Sequence, residues 1–299
     1  MQEPPLNWYS GKQREFIKVK ARRSETVAGG LDISIKPVVQ QTLGQAREVI
    51  EQLEPEGASR ALQWHLLQQD ELRRTMEPIS DALRRQLPGP MQEIAQDGAD
   101  AAADLVDAAR PTPRLRSPQS LMGGVRLPRS KGSLLEQLTP GADGVSPYAA
   151  SLAKYLGNTV ATLITGDMPT DRIVTQVLPS RTVKGATQIY LQNRSTGAGM
   201  WTRVRGTVRT AVGQAQSMGE KEAWAEMVDG SVPFMWTAVM EAGKTCEFCS
   251  SWHGEIRNTA EEFPSIPAHP SCFCSLLPVA GLEGLAGGSL IDAVVGSVN

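Results

Sequence analysis

Residues 234–277 read FMWTAVMEAGKTCEFCSSWHGEIRNTAEEFPSIPAHPSCFCSLL and contain all four cysteines of the chain. Two of its three histidines, His253 and His269, lie there as well. The pattern is Cys246-x-x-Cys249, a loop, then His269-x-x-Cys272-x-Cys274. Structural zinc takes four thiolate or imidazole ligands in a tetrahedron. A tight turn brings the sulfurs of a Cys-x-x-Cys pair to one point, and a second pair returning across a loop completes the set. His269 precedes proline, which pushes it out of the helical region. An extended segment after it projects Cys272 and Cys274 to one face, because strand side chains alternate. Five candidate ligands, Cys246, Cys249, His269, Cys272 and Cys274, thus compete for the four places around one Zn2+ ion.

Other chemistries fit the stretch less well. Four cysteines can make two disulfides or remain as inert buried thiols. A redox Cys-x-x-Cys belongs at a strand-to-helix junction in a βαβ unit. Here a strand-like run, Phe234 to Met240, leads into a loop and no βαβ pattern follows. A Cys–His nucleophile pair lacks any local signature. His253, beside Gly254, reads as a polar loop residue. A site closed by four ligands leaves no position for a substrate, so its expected role is to stabilise.

The same stretch resembles the C-terminal domain of phage minor head proteins of the phage Mu F-like class. That family shows a tryptophan strand followed by a small hydroxyl residue, an acidic residue, Thr-Cys-x-x-Cys, a hydrophobic-x-Gly step and a closing His-Pro-Asn-Cys-Arg-Cys. The matching residues are Trp236-Thr237, Glu241, Thr245-Cys246-Glu247-Phe248-Cys249, Trp252-His253-Gly254 and His269-Pro270-Ser271-Cys272-Phe273-Cys274. Glu241 stands where aspartate is usual, Ser271 for asparagine and Phe273 for arginine. The preceding helix carries Arg209-Thr210-Ala211 where the family has Arg-Thr-Glu. The specific match covers residues 234–277, with a looser one back to about Met200.

Outward from this stretch the chain is mostly helical in pattern. Its 299 residues suit one large or two smaller domains, and its formal net charge of -2 argues neither for nor against nucleic acid. No apolar run reaches the length of a membrane span. The opening MQEPPLNWYS lacks the charged start and apolar core of a secretory signal. Clustered cysteines without such a signal suit synthesis in a reducing host cytoplasm.

Residues 1–36 carry few helix signals and a basic run from Lys12 to Arg23, so they read as a basic, extended N-terminal arm. Residues 37–110 read as a helical partner-binding region. A first helix is marked by Val38, Leu43, Ala46, Ile50 and Leu53. In a second, Leu72, Met76, Ile79, Leu83 and Leu87 form an apolar stripe, with Pro78 expected to kink or split it. A third, Met91 to Ala109, is alanine-rich and acidic. Residues 111–147 form a Pro/Gly-rich basic linker, with a short helix at Leu134–Leu138. Residues 148–280 form the domain with the metal knuckle. Ser146-Pro147 caps its first helix, which presents Leu152, Tyr155, Leu156, Val160 and Leu163. Helices follow from Thr170, from Val183 to about Asn193, and from Met200 to Met218, with continuation to Met227. Gly197 and Gly199 read as a turn. A strand occupies Phe234 to Met240, and a helical turn lies near 259–263. Residues 281–299 form a flexible tail.

The expected fold is therefore mainly α, with a small α+β zinc-knuckle C-terminal domain, extended arms and a linker. No Walker loop, dinucleotide fingerprint, HExxH helix or GxSxG elbow occurs, so no catalytic residue and no enzyme is expected. The resemblance implies a virion protein of the capsid interior, with the portal protein and/or the major capsid protein as partners. It implies a role in head morphogenesis, DNA packaging or DNA delivery, without a membrane or small-molecule substrate. Between Arg172 and Gly219 there are seven basic residues and no acidic one. Packaged double-stranded DNA is therefore a further candidate partner, and a zinc-stabilised nucleic-acid-binding module is the alternative reading.

Overall fold

The computed structural model describes residues 6–57, 59–109, 133–183, 186–189, 195–227, 233–238, 246–266, 268, 269, 272 and 274–278. It is mainly helical, with a small C-terminal sheet. The helices are α1 (Leu6–Glu51), α2 (Arg60–Gln86), α3 (Pro88–Ala109), α4 (Leu134–Gln137), α5 (Pro147–Thr165), α6 (Thr170–Val177), α7 (Thr196–Met227) and α8 (Glu247–Trp252). The strands are β1 (Ser180–Val183), β2 (Ala186–Ile189), β3 (Phe234–Thr237), β4 (Ile256–Arg257) and β5 (Ser275–Pro278). Among the described residues no helix is long and apolar enough to cross a membrane. The expected tail at 281–299 and most of the expected linker lie outside the described residues.

The chain forms two compact units, and neither is continuous in sequence. One is drawn from residues 1–28, 89–127 and 209–299, the other from 29–88 and 128–208. These units cut across the linear order of segments read from the sequence.

In the second unit the apolar stripe of α2 is buried as expected: Leu72, Met76, Ile79, Leu83 and Leu87 are all inaccessible. It packs against α5. On α5 the expected Leu152, Leu156 and Val160 are buried, whereas Tyr155 and Leu163 are half-buried and Ile164 is buried instead. Trp64 donates its indole N–H to the Gly157 carbonyl at 3.1 Å. Pro78 does not split α2, which runs unbroken past it. Ser146 caps α5 by accepting from the Ala149 N–H, with Pro147 in the first turn. Ser133 likewise caps α4, accepting from the Glu136 N–H. Buried Arg60 donates to the carbonyls of Pro55 and Met168 at 2.9 and 2.8 Å.

Three expectations are corrected here. Residues 6–36 are not an extended arm: they form the first two-thirds of α1, a 46-residue helix. The segment from Val183 towards Asn193 is not helical where described. Ser180–Val183 pairs antiparallel with Ala186–Ile189, Ser180 opposite Ile189. Arg47 supports that hairpin, donating to the Leu178 carbonyl at 3.1 Å and to Ser180 Oγ at 2.7 Å. β-branched Thr182, Val183, Thr187 and Ile189 favour strands when such support exists. Gly197 and Gly199 are part of α7, not a turn. A Cβ at Gly199 would collide with the Tyr155 hydroxyl, so this glycine admits a close approach to α5.

In the first unit the start of α1, α3 and the end of α7 pack together. Phe16, Ile17, Ala99, Ala102, Leu105, Ala223, Trp224 and Leu277 form one apolar cluster. The sequence suggests too few apolar residues on α3 for a broad core face. Its alanines supply that face, because the backbones approach closely. A Cβ on Gly219 would collide with the Ala95 carbonyl, and one on Gly98 with the Gln216 carbonyl. Arg23, from the basic run, pairs with Glu93 and Asp97 of α3 at 2.8 and 2.6 Å.

Candidate metal centre

The sheet that carries the centre has strand order β4-β3-β5, all antiparallel. Phe234 faces Arg257 on one side and Pro278 on the other. The alternation of β3 sends Phe234, Trp236 and Ala238 into the cluster that also holds Cys249, Phe263, Cys272, Cys274 and Leu276. Trp236 is fully buried, and its ring centroid lies 6.1 Å from that of Trp252 and 6.0 Å from that of Phe263. Three large rings thus wall the site at spacings that favour tilted packing.

Cys246 is extended and caps α8: its sulfur accepts the Cys249 N–H at 3.3 Å. One helical turn therefore brings the two thiols of Cys-x-x-Cys together. The chain leaves α8 through His253 and Gly254, and Gly254 has φ 85, a value that favours glycine. The Gly254 N–H then donates to the Trp236 carbonyl, and Trp236 N–H to the Glu255 carbonyl, both at 2.9 Å. His253 does not join the cysteines: its Nδ1 accepts the Ala238 N–H at 3.1 Å, the structural role expected of it. A 3-10 turn at Ala260–Glu262 returns Phe263 to the core. The Cys272 N–H donates to the His269 carbonyl at 3.1 Å, a turn that precedes β5.

All five sequence-predicted residues converge. His269 Nε2 stands 3.1 Å from Cys246 Sγ and 2.9 Å from Cys249 Sγ. Cys249 Sγ stands 3.8 Å from Cys272 Sγ. Two overlapping groups could hold a metal ion: Cys246, Cys249 and His269, and Cys249, Cys272 and Cys274, each with donor atoms within 4.8 Å of one another. Cys249 belongs to both. The four cysteines are free thiols, so the disulfide reading is not what the fold shows. With metal–sulfur bonds of about 2.3 Å, a tetrahedral thiolate site has a sulfur–sulfur edge of roughly 3.8 Å, the separation of Cys249 and Cys272. The donor chemistry and that edge both fit a thiolate-preferring divalent ion.

The electrostatics of the thiols point the same way. A hydrogen bond from Cys274 holds Cys272 down to about 5, against partial burial. Burial first, with the Cys246 and Cys272 thiols adding to it and a hydrogen bond with Cys274 opposing it, pushes Cys249 up to about 12. The hydrogen bond to Cys272, with burial, pushes Cys274 up as well. Within the buried trio Cys272 is thus the thiol most readily ionised, and Cys249 and Cys274 are held towards the protonated form. A bound cation would supply the positive charge needed to ionise the others.

The supports of the second ligand pair are not visible in the sequence. Gly213 is buried on α7, and a Cβ there would come 3.0 Å from the Cys272 carbonyl oxygen. Lys20 donates to the Cys274 carbonyl at 2.9 Å and to Ser275 Oγ at 2.5 Å, and pairs with Glu220 at 2.9 Å. No local pattern around a lone lysine or glycine announces such contacts. Compared with known proteins, the chain matches no family model, no curated protein and no solved structure.

Proposed function

We propose that this chain is a structural component of a phage head, of the Mu F-like minor head class, whose C-terminal lobe is closed by a structural Zn2+ ion. One observation carries the reading. Several of the residues by which the chain resembles that class, among those described, build the lobe's core. Trp236 is its buried ring, Gly254 its positive-φ turn, and Cys246, Cys249, His269, Cys272 and Cys274 its donors.

Zinc is the ion of choice for a thiolate and imidazole set without redox work to do. When bound it supplies charge and cross-linking, not a reactive water, since four of the five donors complete its shell. A lobe with a three-stranded sheet of short strands has little core of its own, and an ion adds folding energy directly. The chain is thus a non-catalytic assembly factor. It acts inside the capsid, with the portal protein and/or the major capsid protein as partners, during head assembly, DNA packaging or DNA delivery. A nucleic-acid-binding module draws less support. Of the basic residues between Arg172 and Gly219 that suggest it, Arg205 pairs with Asp32, and in the N-terminal basic run Lys20 and Arg23 have carboxylate partners on α7 and α3.

The test has two arms. Native mass spectrometry of the purified chain should find one zinc per chain. Proteomic analysis of assembled particles should find the chain together with the portal protein. Absence from particles sinks the assembly role, and a metal-free folded chain sinks the zinc.

A further inference from the structure

The buried Lys20 has no place in the reading above, although it sits directly behind the ligand-bearing segment. Lys20 is 3% exposed, Glu220 2% and Ser275 0%. The ammonium has three acceptor groups: the Glu220 carboxylate, the Cys274 carbonyl and Ser275 Oγ. Ser275 Oγ in turn donates to Glu220 Oε2 at 2.9 Å. Its three protons and the serine hydroxyl are therefore all used, in one arrangement only. Burial pushes the Glu220 carboxyl up, with Lys20 opposing that shift.

A buried ion pair is a poor source of stability, since desolvation offsets most of its attraction. Its better-attested use is to fix one geometry. Here the fixed object is the backbone of Cys274. Lys20 holds the Cys274 carbonyl, while Gly213 leaves room for the Cys272 carbonyl against α7. The backbones of both cysteines lean on helices while their thiols meet Cys249.

We infer that Lys20 is a positioning residue of the metal centre, through which metal occupancy and the docking of the first turns of α1 are coupled. This rests on the metal reading above. By linkage the coupling is reciprocal: a docked α1 tightens the ion, and the ion tightens α1. Anything that pulled the start of α1 away would loosen the metal.

The experiment uses the full chain, as wild type, Lys20→Met and the double variant Lys20→Met/Glu220→Met. The double variant removes both charges together, so that neither is left buried alone. Zinc affinity is measured by competition with a chromogenic chelator. Amide exchange across residues 16–28 is measured with zinc and with excess chelator. The expected result is at least a tenfold loss of zinc affinity in both variants. Zinc should slow exchange at 16–28 in the wild type and not in the double variant. Unchanged affinity in a folded double variant overturns the coupling and leaves Lys20 a packing residue. A wild type that takes up no zinc overturns the metal reading itself, which is a separate result.

Discussion

Cys249 Sγ lies 3.8 Å from Cys272 Sγ, although the two residues are 23 positions apart in the chain. Cys249 is also the one thiol common to both donor groups. Replacing it removes a ligand from each, whereas replacing Cys246 or Cys274 leaves one group whole. Cys249→Ser should abolish retained zinc, while Cys274→Ser should retain a fraction with weaker affinity. Cys246→Ser and Cys249→Ser should each destabilise residues beyond about 200, and exchange in α2 should stay slow. His253→Ala is the contrast: it leaves the Ala238 N–H unpaired, at about 1–3 kcal/mol, with zinc content unchanged. Metal analysis after gel filtration, with peptide-resolved exchange, checks all four. Equal zinc loss in Cys249→Ser and His253→Ala would contradict the ligand assignment.

Trp236 is completely buried between Trp252 and Phe263. Trp236→Ala should cost about 3–5 kcal/mol, as large core truncations do. Because the ring backs the cysteine cluster, the variant should also release zinc to a chelator faster than wild type. Chemical denaturation followed by metal-release kinetics measures both. A destabilised variant with unaltered release would detach the aromatic wall from the metal site.

Gly219 and Gly44 give opposite expectations for the same substitution. At Gly219 a methyl group meets the Ala95 carbonyl, whereas at Gly44 nothing lies within 4 Å of it. Gly219→Ala should destabilise by about 1–3 kcal/mol through overpacking. Gly44→Ala, inside α1, should stabilise by up to about 1 kcal/mol through helix propensity. Paired thermal melts read the two directions, and a neutral Gly219→Ala would remove the close backbone contact.

The thiols set a pH profile for chelator-treated protein. Cys272 is lowered from 9.0 to about 5, so its contribution is full above 9 and is lost as pH falls towards 5. Cys249 is raised from 9.0 to about 12, so its contribution is full below 9 and is lost as pH climbs towards 12. The cysteine contribution to stability is therefore greatest near pH 9. The wild type minus Cys249→Ser/Cys272→Ser difference in melting temperature should peak there. Zinc uptake at neutral pH should release protons from Cys249, which is held protonated, so affinity should weaken on acidification. A pH-stat titration with zinc detects the release, and uptake without protons would contradict it.

The parts of the fold that could be read from the sequence are those whose partners are local or whose chemistry is scarce. The α2 stripe repeats every three or four residues, so it needs no knowledge of α5. Ser146 acts on an N–H group three residues away. Cysteine and histidine are so few that their spacing alone selects the five residues that converge. The start of α1 was hidden for the opposite reason. Its buried stripe runs through Phe16, Lys20, Ser24, Ala28, Leu31 and Ile35, and two of those positions are polar. Lys20 is buried only because Glu220 lies 200 residues on, and Ser24 only because Gln216 lies 192 residues on. The hairpin at 180–189 depends similarly on Arg47, from a distant helix. α3 looked too poor in apolar residues because its close packing is done by absent side chains.

The three-part make-up of the first unit bears on how the chain is born. Lys20 leaves the ribosome long before Glu220, and Ser275 comes later still. Until Cys274 and Ser275 have been synthesised, that ammonium has only Glu220 of its three acceptors. Domains usually mature from the N-terminal end during translation; the set of acceptors around Lys20 is complete only once Ser275 has been made. A product cut short before position 274 would therefore leave the buried Lys20 with one acceptor in place of three, and its side of α1 uncovered by the strand that carries Ser275.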